Sequence, residues 1–125
     1  MRLYHNPRCS KSRQTLALLV ERNVQFEDYR YLENGVAPED MEVLLSLEGV
    51  IRQQEVDSTM GYDLNNISDV RKLLSDNPKV LQRPILIKDG RAVIGRPPEN
   101  VLDLLDYNLY LDATASRTQS TSLTR

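Results

Sequence analysis

Arg2-Leu3-Tyr4-His5-Asn6-Pro7-Arg8-Cys9-Ser10-Lys11-Ser12-Arg13 is the stretch on which the reading of this chain turns. Its apolar-leaning start, Arg2-Leu3-Tyr4, reads as a first strand. Asn6-Pro7 breaks that strand, and a helical pattern follows from about Ser10. The chain's single cysteine, Cys9, therefore sits at a strand-to-helix turn. The first N–H groups of a helix have no internal partner there, and with the positive end of the helix dipole they favour an anion. Arg8, Lys11 and Arg13 add positive charge within a turn of the sulfur. Both effects favour thiolate over thiol, and thiolate is the reactive form. The plain alternative is a small buried filler, a common fate of free cysteine. Three cations and a serine pair are unlike the apolar surroundings a filler needs.

Working outward, the spacing predicts a helix over residues 10–22, with Leu16, Leu19 and Val20 on one face. Residues 24–29 alternate apolar and polar as a strand with one covered face. Glu33-Asn34-Gly35 reads as a turn, and Ala37-Pro38-Glu39-Asp40 opens a helix with proline and acids in its first turn. Met41, Leu44 and Leu45 form its stripe, and Gly49 ends it. Ile51-Arg52-Gln53-Gln54-Glu55 suggests a short helical piece, and residues 60–66 suggest a loop. Another helix begins near Ser68-Asp69, with Ile67, Val70 and Leu74 on one face, and ends at Asn77-Pro78. Ile85-Leu86-Ile87 suits a buried strand, Asp89-Gly90 is a hairpin signal, and Ala92-Val93-Ile94 is the return strand. A last helix starts at Pro97-Pro98-Glu99, with Val101, Leu104 and Leu105 inward. Tyr107 and Tyr110 near it suit packing. One domain over residues 1–111 is expected, followed by a polar Ser/Thr-rich tail over 112–125 that can bury little and is expected to be disordered. The order β-α-β, helices, β-hairpin, α gives an α/β or α+β layer with one mixed sheet, its first βαβ a right-handed parallel unit.

Composition narrows the function. The chain has 125 residues, 40% hydrophobic and 27% charged, with a net charge of −2. That balance carries no global basic field calling for nucleic acid or an anionic membrane. No run is long enough to span a bilayer, and the start lacks a signal-peptide layout. One cysteine cannot close an internal disulfide, and one cysteine with one histidine makes no zinc site. A metal-free, cytoplasmic monomer is the expectation.

Three arginines invite attention. Arg83-Pro84 lies just before a buried strand, and X-Pro bonds are readily cis. Arg96 lies between the return strand and the last helix, and Arg52 lies in the ambiguous middle segment. Guanidinium groups are permanently charged forks that suit tetrahedral oxyanions. A cysteine with two or three arginines describes nucleophilic attack on an oxyanion. Each arginine also has the ordinary alternative of a solvated or ion-paired side chain. His5 could orient the loop or feel the thiolate, Asn6 could shape the turn, and Ser10 or Ser12 could cap the helix or bind an anion.

Tyr4-His5-Asn6-Pro7-Arg8-Cys9-Ser10-Lys11-Ser12-Arg13, Gln82-Arg83-Pro84-Ile85 and Ile94-Gly95-Arg96-Pro97-Pro98-Glu99 together resemble the glutaredoxin-coupled arsenate reductase family. The resemblance spans about residues 2–106. It implies an α/β, thioredoxin-like three-layer fold with a small mixed sheet and a helical insertion. It implies that Cys9 is the nucleophile, that Arg52, Arg83 and Arg96 bind arsenate or a similar oxyanion, and that His5, Asn6 and Ser12 support the site. Arg83-Pro84 would be the cis-proline site of that fold. Glutathione would serve as co-substrate and glutaredoxin as protein partner, with no bound metal or organic cofactor. The loop departs from the family's best-studied reductases in carrying Arg8, Ser10 and Lys11 where those have small residues. Two other functions remain open: a monothiol oxidoreductase acting on glutathione mixed disulfides, and a regulator of the Spx type that binds RNA polymerase without turnover. In the latter, Ser12 stands where many have the second cysteine of a Cys-x-x-Cys switch.

Overall fold

Alternation along the first strand organises the molecule. In the computed structural model, which describes residues 1–57 and 61–105, β1 (Arg2–Tyr4) is an inner strand of a four-stranded sheet of order β2-β1-β3-β4. β2 is Glu27–Tyr29, β3 is Ile85–Lys88 and β4 is Arg91–Ile94. β1 runs parallel to β2 and antiparallel to β3, and β3 pairs antiparallel with β4, so the sheet is mixed. Successive side chains of a strand point to opposite faces. Leu3 and Leu86 accordingly join one core cluster with Leu19, Val101, Leu104 and Leu105. Tyr4, Ile85 and Ile87 join the other, with Tyr31, Met41, Leu44, Leu73, Leu74 and Val80.

Those two clusters define three layers. The first holds α1 (Ser10–Glu21), a 3-10 turn at Pro98–Val101 and the helical residues 102–105 against one face. The second holds the insertion between β2 and β3 against the other: α2 (Tyr31–Asn34), α3 (Met41–Leu45) and α4 (Ile67–Asp76). Asn66 caps α4 by accepting from the N–H groups of Ser68 and Asp69. The insertion is tied to β1 by a polar knot. Buried Asp40 accepts from Arg2 Nη1 and from the Tyr4 hydroxyl, both at 2.7 Å, and that hydroxyl accepts from the Ala37 N–H at 3.0 Å.

Several elements differ from the sequence pattern. β2 is confined to Glu27–Tyr29 because β1 offers only three ladder partners, while Val24 and Phe26 still pack on the core. Glu33-Asn34 closes α2, and Gly35 ends it at φ +74, the left-handed region that glycine tolerates. The helix expected over 37–49 is a 3-10 turn (Pro38–Asp40) followed by α3, which stops at Leu45. Residues 51–55 divide: Ile51 bridges to Leu81, and only Gln53–Glu55 form a 3-10 turn. Val20 and Ile67 do not share the buried helix faces assigned to them, being 58% and 62% exposed. Met60, Tyr107, Tyr110 and the tail from 112 lie outside the described residues.

Candidate active site

The loop carrying Cys9 is set by hydrogen bonds that its sequence makes available. The Asn6 side chain accepts from the Arg8 N–H at 3.0 Å, an Asx turn that follows from a short amide next to proline. The Cys9 N–H donates to the Asn6 carbonyl at 3.0 Å, and Arg13 Nη1 donates to the Pro7 carbonyl at 3.0 Å. Cys9 itself occupies the N-cap position of α1, with extended φ and ψ of −96° and 125°. Its carbonyl accepts the first helical bond, from the Arg13 N–H at 2.9 Å.

Ser12 caps nothing. Its buried hydroxyl accepts from the Asn6 N–H at 2.9 Å and lies 2.7 Å from Nδ1 of His5. Since that oxygen already accepts a proton from the backbone, its own hydrogen is free to point at the ring nitrogen. Burial pushes the His5 imidazole below its ordinary proton affinity, with the charges of Arg30 and Arg13 acting the same way and Asp28 opposing them. His5, Asn6 and Ser12 thus form one network holding the loop against β1.

The Cys9 sulfur is half-buried, and burial is the largest influence on it, opposing ionisation. The backbone N–H of Ser12, the Arg96 guanidinium and the backbone N–H of Lys11 together outweigh that, and the thiol lies below its ordinary pKa. Lys11 therefore acts through its amide, as the unpaired donors of a helix N-terminus should. Arg96 Nη1 is 3.7 Å from Cys9 Sγ and also donates to the Arg83 carbonyl at 2.9 Å. One guanidinium nitrogen joins the two loops to the sulfur. Both loops turn on a cis peptide bond, Arg83–Pro84 and Arg96–Pro97; the sequence suggested only the first. The Gly95 N–H donates to the Pro84 carbonyl at 2.9 Å. A Cβ on Gly95 would come within 2.8 Å of Thr15 Oγ1 and 2.9 Å of Pro84 Cγ, so only glycine lets these loops close.

Arg52 is brought alongside by backbone pairing. Its N–H donates to the Val80 carbonyl and the Gln82 N–H donates to the Val50 carbonyl, both at 2.7 Å, three residues and one residue before Arg83. Arg83 Nη1 makes only long contacts, 3.4 Å each, to the Lys79 and Leu81 carbonyls. Among the described residues, the Nε groups of both Arg52 and Arg83 are buried without a hydrogen-bond partner. Near them the buried Tyr31 hydroxyl, which makes no hydrogen bond of good geometry among the described residues, feels Arg83, the Asn6 side chain as a donor, the Cys9 sulfur and Arg52. The sequence reading passed over Tyr31. The available signal was its place after a strand parallel and adjacent to the one feeding the Cys9 loop, since ligands of such sheets gather at the carboxyl ends of the strands. A groove of about 280 Å³ adjoins the loop, bordered by Arg8 on one side and half-exposed Leu32 on the other.

Comparison with known proteins finds relatives over most of the chain. A model of the ArsC family matches residues 4–104. The Escherichia coli protein YfgD, described as uncharacterized, is 39% identical over 114 residues, covering 84% of this chain and 96% of its own. An arsenate reductase of Neisseria meningitidis is 34% identical over 113 residues, covering 81% of this chain and 94% of its own. Among solved structures, the arsenate reductase from Vibrio cholerae superposes with a TM-score of 0.69 at 34% identity, covering 82% of this chain and 97% of that one.

Proposed function

The chain belongs to the ArsC family and has its thioredoxin-like fold, and from that premise we propose that it reduces arsenate to arsenite through a cysteine-bound arsenate. The observation that carries this reading is the set of unsatisfied guanidinium donors around a stabilised thiolate. Arg52 and Arg83 bury N–H groups with no acceptor, and Arg96 touches the Cys9 sulfur. A buried charged donor without a partner is unfavourable, and a tetrahedral oxyanion supplies acceptors of matching shape.

The Cys9 thiolate attacks arsenic, and one arsenate oxygen leaves as water: thiolate, dihydrogen arsenate and one proton give the thiol-bound arsenate and water. Arg52, Arg83 and Arg96 hold the oxygens as charge develops on them, the condition under which fixed donors accelerate a step most. The helix N-terminus and Arg96 favour the ionised form of the attacking sulfur. A chain with one cysteine cannot supply the second electron-donating thiol from itself. Glutathione takes that part, displacing a further oxygen as water, and glutaredoxin then removes glutathione as a mixed disulfide, leaving arsenic in the trivalent state. Water then cleaves the Cys9–arsenic bond, releasing arsenite and restoring the Cys9 thiol, so in net terms one arsenate and two thiols become one arsenite, one disulfide and one water. None of these steps calls for a bound metal or organic cofactor.

The test is arsenite formation from arsenate with glutathione and glutaredoxin, for the wild type beside Cys9→Ser. Turnover that disappears in the variant supports both the reaction and the nucleophile. Turnover no greater than that of the variant removes the assignment and returns the chain to thiol exchange or to a binding role.

A further inference from the structure

Tyr31 is 0% exposed; among the described residues its hydroxyl makes no hydrogen bond of good geometry, and the Asn6 side chain approaches it as a donor, so the phenolic hydrogen itself has no acceptor. A buried hydroxyl left unpaired is unfavourable, and a phenylalanine would fill the same space without that penalty. Packing therefore accounts for the ring, which stacks on Tyr4 at 6.0 Å, but not for the oxygen. The neighbouring Tyr4 shows the contrast, since its hydroxyl is satisfied by both Asp40 and the Ala37 N–H.

The position of that oxygen is informative. β2 lies beside β1 in parallel register, Tyr4 opposite Tyr29, so the chain leaves both strands at the same edge. One exit leads to Cys9 and the other to Tyr31 at the start of α2. The hydroxyl lies among the Arg83 guanidinium, the Asn6 side chain, the Cys9 sulfur and Arg52. Two of these neighbours, Arg52 and Arg83, also carry buried donors that lack acceptors among the described residues. Burial, the foremost influence on the phenol, holds its proton on, so at neutral pH it is a donor.

We propose that Tyr31 is a fourth ligand of the oxyanion, its phenolic O–H donating a neutral hydrogen bond to an oxygen of the anion held by Arg52, Arg83 and Arg96. The inference rests on the reading above and adds to it a residue that touches the substrate. An uncharged donor buried near two fixed cations, Arg83 and Arg52, adds direction without adding charge, which favours an oxygen in one place over a generic anion.

The experiment compares wild type and Tyr31→Phe by two readings. One is the arsenate concentration that half-protects Cys9 from alkylation by iodoacetamide; the other is the melting temperature without arsenate. The expected result is an arsenate requirement raised about tenfold, the scale of one hydrogen bond to a charged group. The unliganded variant should melt close to the wild-type temperature, because the hydroxyl it loses has no acceptor and only a poorly aligned donor in Asn6. Equal protection in the two proteins overturns the proposal while leaving the proposed function intact. Weaker protection accompanied by a lower unliganded melting temperature also overturns it, making the hydroxyl a structural group. Absence of arsenate protection in the wild type removes the proposed function and this inference together.

Discussion

Arg96→Ala tests how the thiolate is held. At 3.7 Å, Arg96 Nη1 is the nearest charged group described against the Cys9 sulfur. Two unit charges at that distance interact by about 1 kcal/mol in water and about 4 kcal/mol at the effective dielectric of a protein surface. The sulfur is half-buried and water reaches it, so the lower part of that range applies, about 1–2 kcal/mol. Loss of the guanidinium should then lower the thiolate population at a fixed acidic pH about 5- to 30-fold. Alkylation of Cys9 by iodoacetamide at about pH 6, where rate follows thiolate fraction, reads this directly. Arg96→Lys keeps a charge but not the fork that also grips the Arg83 carbonyl. It should recover much of the alkylation rate while leaving oxyanion reduction impaired. An Arg96→Ala protein alkylated at the wild-type rate across the titration would show that the N–H groups of Ser12 and Lys11 suffice. The electrostatic role given to Arg96 would then be wrong.

Cys9→Ser should change the pH dependence of stability. The folded thiol ionises below its unfolded counterpart, so the thiolate's contribution is fully present above about pH 8.5, the unfolded value, and is lost as pH falls through the folded one. Denaturant titrations of the two proteins should therefore converge at acidic pH and separate as pH rises; a constant difference would refute the linkage. For His5, burial lowers the folded proton affinity, so the unfolded chain binds the proton first and stability falls as pH drops below about 6.5. His5→Gln should flatten that segment of the stability curve, and an unchanged slope would assign it to other groups. Ser12→Ala leaves both the Asn6 N–H and His5 Nδ1 without their partner and should cost about 2 kcal/mol in chemical denaturation. Gly95→Ala should cost about 1–3 kcal/mol by forcing Thr15 and Pro84 apart and should slow turnover through the displaced Arg96. A Gly95→Ala protein of wild-type stability would mean that the loops close without the tight approach.

The parts of the fold legible in the sequence are those fixed by local chemistry. Asn6-Pro7 ends β1, Pro38 and Pro98 open helical turns, and Asp89-Gly90 turns β3 into β4. Alternation at Leu3-Tyr4 and Ile85-Leu86-Ile87 let both faces of the inner strands be covered, giving the three layers. What escaped depends on distant partners. The extent of β2 was set by the length of β1, and Val20 turned outward because Ser12, Thr15 and Leu19 took the buried face of α1. In the site, the Cys9 loop could be read from its own residues. The contact of Arg96 with the sulfur joins residues 87 positions apart, and no spacing rule gives it. Arg52 came alongside Arg83 only through the bridge Ile51 to Leu81, in a segment whose pattern looked helical. Tyr31 looked like core because its ring is core; only the hydroxyl without an acceptor marks it.

The donors that stabilise the Cys9 thiolate come from the start of α1 and from Arg96, so they exist around the sulfur only when the chain is folded. Cysteine footprinting usually relies on unfolding to uncover a sulfur and hasten its labelling. This chain should behave in the opposite sense under mildly acidic conditions, with the folded molecule labelled first and the denatured one protected as an ordinary protonated thiol. The same atom that carries out the chemistry is thereby a tag for intact molecules, and a short pulse of electrophile would count the folded fraction in a mixed population.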